Sequence, residues 1–189
     1  RCLPYTVFVA PDLLGSDALW WDALAPVGGP LSEALREELL TRANGRSEDV
    51  WYMADRRGLS RRRQPEHAGI VDEAELQAVA GREGVSLGSH GWSHANLPAL
   101  EAIDLEQELV RPLLWLEDRF PGSVVPWLSL PYGRSSETVV RAAFDAGYDR
   151  VFDLSGRLIR SGTTDRVVSR VNVPAGASAE GFQLRTAGL

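Results

Sequence analysis

Two histidines, His90 and His94, stand four residues apart in Ser-Leu-Gly-Ser-His-Gly-Trp-Ser-His-Ala-Asn-Leu (86–97), in a 189-residue chain with only three histidines in all. Imidazoles at that spacing can reach one divalent cation from one face of a helical turn, but they leave it short of the three protein ligands usual in a catalytic site. A cation so held would polarise a carbonyl oxygen and lower the pKa of water, which is the chemistry of metal-assisted hydrolysis. Gly88 and Gly91 permit close approach around the pair. The plainer alternative is a pair of satisfied core or cap histidines with no ion. Pro131-Tyr132-Gly133 is a second candidate. It places an aromatic between two turn residues just past an apolar run, where the Tyr132 amide could serve an oxyanion or simply join a strand to a helix.

Elements must carry these residues to one place. Tyr5–Ala10, β-branched and aromatic and ended by Pro11, reads as a strand buried on both faces, as in a parallel sheet. A parallel strand needs a neighbour and a crossover, so an earlier strand and helix are expected upstream of Arg1. Helices are expected over about Asp17–Leu24 and Leu31–Ala43, the second stopped by Asn44-Gly45, followed by an arginine-rich polar loop to about Gly69. A helix over Asp72–Arg82 then leads into a strand Val85–Gly88 that delivers the histidines. A longer helix over Asp104–Phe120 shows a leucine stripe, a capping box at Asp104 and Gln107, and a kink at Pro112. Strand Val125–Leu130, helix Ser136–Ala146 with Gly147 as its cap, strand Arg150–Leu154 and a last strand Val167–Val173 follow. Strands alternating with helices in one domain over 1–189 mean an α/β fold with a parallel sheet or barrel. The loops Ser89–His94, Leu130–Gly133 and the turn after Val173 then share one mouth at the strand C-terminal ends.

Composition narrows the partners. With 44% hydrophobic and 24% charged residues the chain has the balance of a globular domain, and it contains no apolar run long enough to span a bilayer. The compartment stays open, cytoplasmic and exported both being compatible with this composition. A net charge of −6 argues against nucleic acid as a partner. The single cysteine, Cys2, precludes an internal disulfide and reads as a small hydrophobe rather than a nucleophile.

Taken in order, Thr-Val-Phe-Val-Ala-Pro (6–11), Gly-Ser-His-Gly-Trp-Ser-His-Ala-Asn-Leu (88–97), Leu-Ser-Leu-Pro-Tyr-Gly (128–133) and Ala-Gly-Tyr (146–148) resemble the polysaccharide deacetylases of the NodB-homology type. The resemblance implies a deformed (β/α) barrel lacking its first strand, with a helical and Arg-rich insertion at about 17–69. It also implies a divalent metal, typically zinc, held by His90 and His94, and hydrolysis of N-acetyl groups on a carbohydrate. Pro131 and Tyr132 would contact substrate, the Tyr132 amide helping hold the oxyanion.

Several positions depart from the family pattern. Gly91 replaces the usual Ser or Thr, and Ser129 and Leu130 replace an arginine and a proline. The late Leu-x-x-His motif gives way to Ser-Arg-Val-Asn-Val-Pro (169–174), where Arg170 is a candidate charge stabiliser. The acidic pair that supplies the base and third ligand in the family is expected upstream, so residues 1–189 alone are expected to bind metal weakly and turn over little. A carbohydrate-binding relative without acid and base is the alternative. Asp12 is a candidate stand-in ligand or, more simply, a helix cap. Trp92 is a candidate substrate contact, Trp20, Trp21 and Trp51 less so. The arginines at 56–57 and 61–63 read as a solvated face balanced by acids, with phosphate binding as the sharper alternative, and His67 reads as exposed.

Overall fold

Tyr5–Val9 forms the first strand, β1, and stops before Pro11, whose ring opens a short 3₁₀ turn, Pro11–Leu13. The computed structural model describes residues 3–157, 164–173 and 177–187. Cys2 and Pro174, with the turn that begins there, lie outside the described residues. After β1 come three helices, α1 (Trp20–Ala23), α2 (Glu33–Arg42) and α3 (Ser47–Arg56), then α4 (Glu73–Ala80), β2 (Val85–Ser89), α5 (Ala102–Arg119), β3 (Val124–Ser129), α6 (Glu137–Asp145), β4 (Arg150–Asp153), β5 (Val167–Ser169) and α7 (Ala179–Ala187). The strands pair in sequence order, β1-β2-β3-β4-β5, and every pairing is parallel. This is the expected α/β architecture. Among the described residues the sheet is open, with β1 and β5 at its edges.

One face of the sheet is covered by helices. Val9 and Leu87 pack with Leu76 and Ala80 of α4 and Leu116 of α5, while Leu128, Leu130 and Val151 pack with Leu109 and Leu113 of α5 and Val139 and Ala143 of α6. Each such leucine contributes about 1.5–3 kcal/mol by leaving water. On the other face Phe8, Trp127 and Phe152 form an aromatic row, with Phe152 5.4 Å from Phe8 and 5.5 Å from Trp127 between ring centres. Gly88 lies beneath that row. A Cβ there would sit 2.7 Å from the Phe8 ring and 3.0 Å from the Trp127 carbonyl oxygen, so no side chain fits. Gly88→Ala is expected to destabilise the fold by about 1–3 kcal/mol, read as a lowered midpoint in thermal unfolding. An unchanged midpoint would show that the row yields freely.

Several expectations from sequence need correction. β1 is not buried on both faces: it is an edge strand among the described residues, and Tyr5 is exposed. The arginine-rich stretch is not all loop, because Val50 and Ala54, one turn apart, are buried and draw Ser47–Arg56 into a helix against Leu39 and Leu40. Helix α1 is shorter than Asp17–Leu24. Helix α5 begins two residues before Asp104, with Glu101 at its cap and no capping box, and it runs on through Pro112, which only forgoes the bond to the Glu108 carbonyl. Strand β5 ends at Ser169 rather than at Val173. By contrast, Asp72 and Glu75 form a reciprocal capping box at α4, Ser136 caps α6, and Gly147 turns the chain at a φ of 100°. No helix among the described residues is long and apolar enough to cross a membrane.

Candidate metal centre

Strand β2 ends at Ser89 and hands His90 to the C-terminal edge of the sheet, where the His90 amide donates to the Val9 carbonyl of β1 (2.8 Å). The segment that follows is not a helical turn. Gly91 adopts φ 76° and His94 φ 59°, both left-handed, so the two imidazoles meet across a loop rather than along one helix face. The agent of this geometry is Glu108 of α5, a carboxylate only 3% exposed. It accepts from the amides of Trp92 (2.9 Å) and Ser93 (3.0 Å) and from the Ser93 hydroxyl (2.6 Å), and the Arg46 guanidinium lies 3.7 Å away. A Cβ on Gly91 would come within 3.3 Å of the Glu108 carboxylate, which with the positive φ accounts for glycine where Ser or Thr is usual in the family it resembles.

The two rings lie 4.7 Å apart between centres and nearly perpendicular. His90 Nδ1 is 2.5 Å from the Ser129 carbonyl oxygen. A carbonyl only accepts, so Nδ1 carries the proton and Nε2 keeps its lone pair, the tautomer of a metal-ligating histidine oriented by a backbone oxygen. Among the described residues His94 Nδ1 is buried with no hydrogen-bond partner. The chemistry of this donor set fits a divalent ion, since both rings offer neutral nitrogen donors. Among the described residues no third histidine, cysteine or carboxylate joins the pair. Asp12 is engaged elsewhere, its carboxylate accepting from the Trp92 indole (3.2 Å).

The Pro131–Gly133 turn comes to the same place. Tyr132 sits at φ 57°, its ring 4.5 Å from His94 and edge-on, and its hydroxyl donates to the Gly45 carbonyl (3.2 Å). The Trp20 indole N–H reaches both that carbonyl (3.0 Å) and the tyrosine oxygen (3.2 Å). Trp20 is buried while Trp21 is half-buried, its ring 5.1 Å from His94 and 5.7 Å from Tyr132. The segment between β1 and α4 thus forms one wall of the site. Asn96 fastens it from the histidine side, donating through its side chain to the Leu40 carbonyl (2.9 Å) and through its amide to the Asn44 carbonyl (2.7 Å).

Residues 62–151, just under half of the chain, match the family profile described as polysaccharide deacetylase. Over those residues the chain is similar to the polysaccharide deacetylases. Solved structures similar to it include the deacetylase PplD of Streptococcus pyogenes in complex with acetate (16% identity, TM-score 0.54, covering 63% of this chain and 52% of that one). Others are the polysaccharide deacetylase BC0361 of Bacillus cereus (22%, 0.54, 62% and 37%) and a de-N-acetylase of Aggregatibacter actinomycetemcomitans (16%, 0.51, 65% and 55%). At these identities the likeness is one of fold, and this chain matches between about a third and a little over half of each relative's length. No curated protein sequence matches it significantly.

Both histidines of the pair are held neutral. Burial, opposed by the Ser129 carbonyl and helped by the charge of Arg170, brings His90 down to about 4, and burial with the neighbouring His90 and Arg36 brings His94 down to about 3. An unfolded histidine binds its proton near pH 6.5. As pH falls below that value the unfolded chain takes up protons that the folded state refuses, so stability is full above about pH 6.5 and declines until the folded-state values are reached. In metal-free protein the loss at pH 5 is expected to be about 2 kcal/mol per histidine, measured by denaturant unfolding at pH 7.5 and pH 5. A variant with both histidines replaced by glutamine should lose that dependence; retention of it would place the titrating groups elsewhere.

The remaining sequence candidates divide. Arg170, just past β5, is half-buried, with its guanidinium carbon 5.9 Å from the centre of the Phe8 ring and its Nε buried without a partner among the described residues. Burial lowers its pKa and nearby Asp153 opposes that. Trp92 has its N–H on Asp12 and one ring face under the Arg111 guanidinium at 3.5 Å. Of the outer arginines, Arg57 pairs with Glu38 by two bonds and Arg61 with Asp55, while Arg56 donates to the Tyr52 hydroxyl, and His67 is exposed. Sequence reasoning missed Glu108 and gave Trp21 too little weight. Glu108 falls on the buried side of α5 beside Leu105, Leu109 and Pro112, and a lone acid in such a stripe was the available signal.

Proposed function

We propose that this chain carries the substrate-facing part of a metal-dependent hydrolase that removes acetyl groups from an N-acetylated polysaccharide or sugar. The observation that supports this most is His90, with its tautomer set by the Ser129 carbonyl, facing His94 across the strand ends beside the Tyr132 turn. His90 and His94 would hold the ion, typically zinc, which when bound polarises the amide carbonyl and acidifies water. The chain's own groups do the rest. The Tyr132 amide makes no hydrogen bond with the described residues and is the assigned oxyanion donor, fixed by the hydroxyl anchor on Gly45. Arg170 adds positive charge on the His90 side, where its field already reaches the imidazole. Pro131 and Trp92 shape the mouth for the sugar. Residues 1–189 then form one deacetylase-like domain, with 17–69 as an insertion that walls the site.

A second reading, a non-catalytic carbohydrate-binding relative, is favoured by Ser129. It stands where the family pattern has an arginine, and its neutral hydroxyl, buried without a partner among the described residues, supplies no charge. Acetate release from acetylated chitooligosaccharide by the zinc-loaded protein, compared with the His90→Ala, His94→Ala variant, decides between the two. Release, however slow, that is abolished in the variant supports the hydrolase. Binding of the oligosaccharide with no release from either protein selects the binding relative, and measurable release that is equal in both proteins overturns the metal site.

A further inference from the structure

Helix α2 presents Arg36 beside this site, half-buried, with its guanidinium carbon 5.9 Å from the centre of the Tyr132 ring. Among the described residues that guanidinium has neither an ion pair nor a hydrogen bond, while its neighbours are satisfied: Arg134 pairs with Glu37, and Arg42 and Arg57 share Glu38. Glu33 on the same helix, one turn away, is not within ion-pair distance of it. A guanidinium with five N–H donors free of protein partners can receive a ligand, and its planar fork suits a carboxylate or a phosphate. Its charge is felt at both His94 and Tyr132, so it stands near the reacting groups. Beside it Trp21 and Tyr132 stand edge to face with ring centres 5.7 Å apart, and the half-buried Trp21 offers an aromatic face to a sugar ring.

We propose that Arg36, with Trp21 and Tyr132, forms a subsite for an anionic substituent, a carboxylate or a phosphate, on the sugar that carries or adjoins the N-acetyl group. The inference rests on the deacetylase reading for the position of that group, and it assigns the substrate to the acidic glycans or sugar phosphates. The helical segment between β1 and α4 is then the element that selects substrate, because it supplies both Arg36 and Trp21 to a site whose histidines come from β2.

Binding measured by tryptophan fluorescence tests this separately from turnover. The probes are a hyaluronan tetrasaccharide, which carries carboxylates, N-acetylglucosamine 6-phosphate, and the neutral tetra-N-acetylchitotetraose. At least one anionic probe is expected to bind about tenfold or more tightly than the neutral one. Arg36→Gln should erase that preference and Arg36→Lys should keep part of it, with circular dichroism confirming that both variants fold. Which anionic probe is preferred names the group. Equal affinity for charged and neutral probes, absence of binding by all three, or a preference that survives Arg36→Gln overturns the proposal. Failure of the deacetylase reading has a different signature, namely no acetate release from any probe, whatever their order of affinity.

Discussion

Replacing His94 by asparagine is expected to weaken zinc binding about a hundredfold, the share one ligand contributes when the free energy of a zinc site is divided among its ligands. Asparagine is chosen because residue 94 sits at φ 59°, a conformation that asparagine adopts readily and that would burden alanine with strain. The metal-free variant should therefore fold as well as the parent, and its loss of zinc can be assigned to the missing imidazole. Titration with zinc against a competing chelator gives the affinity, and thermal unfolding of the metal-free proteins gives the control. Acetate release should fall with zinc occupancy. Unchanged affinity would remove His94 from the site and leave it as a buried aromatic packed between Trp21 and Tyr132.

The second large effect is expected at Glu108, which touches no substrate group. Alanine there strips the acceptor from two backbone amides and one hydroxyl and leaves Arg46 with only the more exposed Asp104, also 3.7 Å away. Removing one partner from such a buried set costs about 3 kcal/mol, which for a chain of this size lowers the melting temperature by roughly 10 °C. Zinc affinity should fall with it, by about ten- to a hundredfold, because residues 92 and 93 set the spacing between the histidines. Glu108→Gln retains one acceptor oxygen and should recover part of both losses. A variant that melts normally but binds zinc poorly would assign Glu108 to positioning alone, whereas normal melting together with normal zinc binding would show that the loop holds its own shape.

The histidine pair was legible in sequence because the donor atoms, their spacing and their flanking strand all lie within a dozen residues. Alternation of strands and helices gave the parallel order of the sheet for the same reason, each unit being local. What escaped was whatever depends on a distant partner. The pair looked like one face of a helical turn because spacing alone carries no information about Glu108, fifteen to sixteen residues away, which holds the intervening amides in an open loop. Helix α3 was hidden because Asn44-Gly45 and the arginines signal a loop, and only the buried Val50 and Ala54 reveal its inner face. Trp21 could not be distinguished from Trp20 by type. The indole of Trp20 is held by Gly45, while the ring of Trp21 lies 5.1 Å from that of His94. Arg170 lay at the edge of what sequence could place, identified only because the motif expected there was absent.

The anchorage of Asn96 on the turn between α2 and α3 has a practical consequence for anyone recombining these proteins. Asn96 clasps the histidine loop to the wall through the carbonyls of Leu40 and Asn44, main-chain atoms that a graft of side chains would not carry along. A segment transplanted from a relative would bring its own selectivity only if its turn presents those two carbonyls at the same height. Trimming the segment to obtain a minimal catalyst would leave the buried Asn96 amide group without acceptors and loosen the loop that carries both imidazoles.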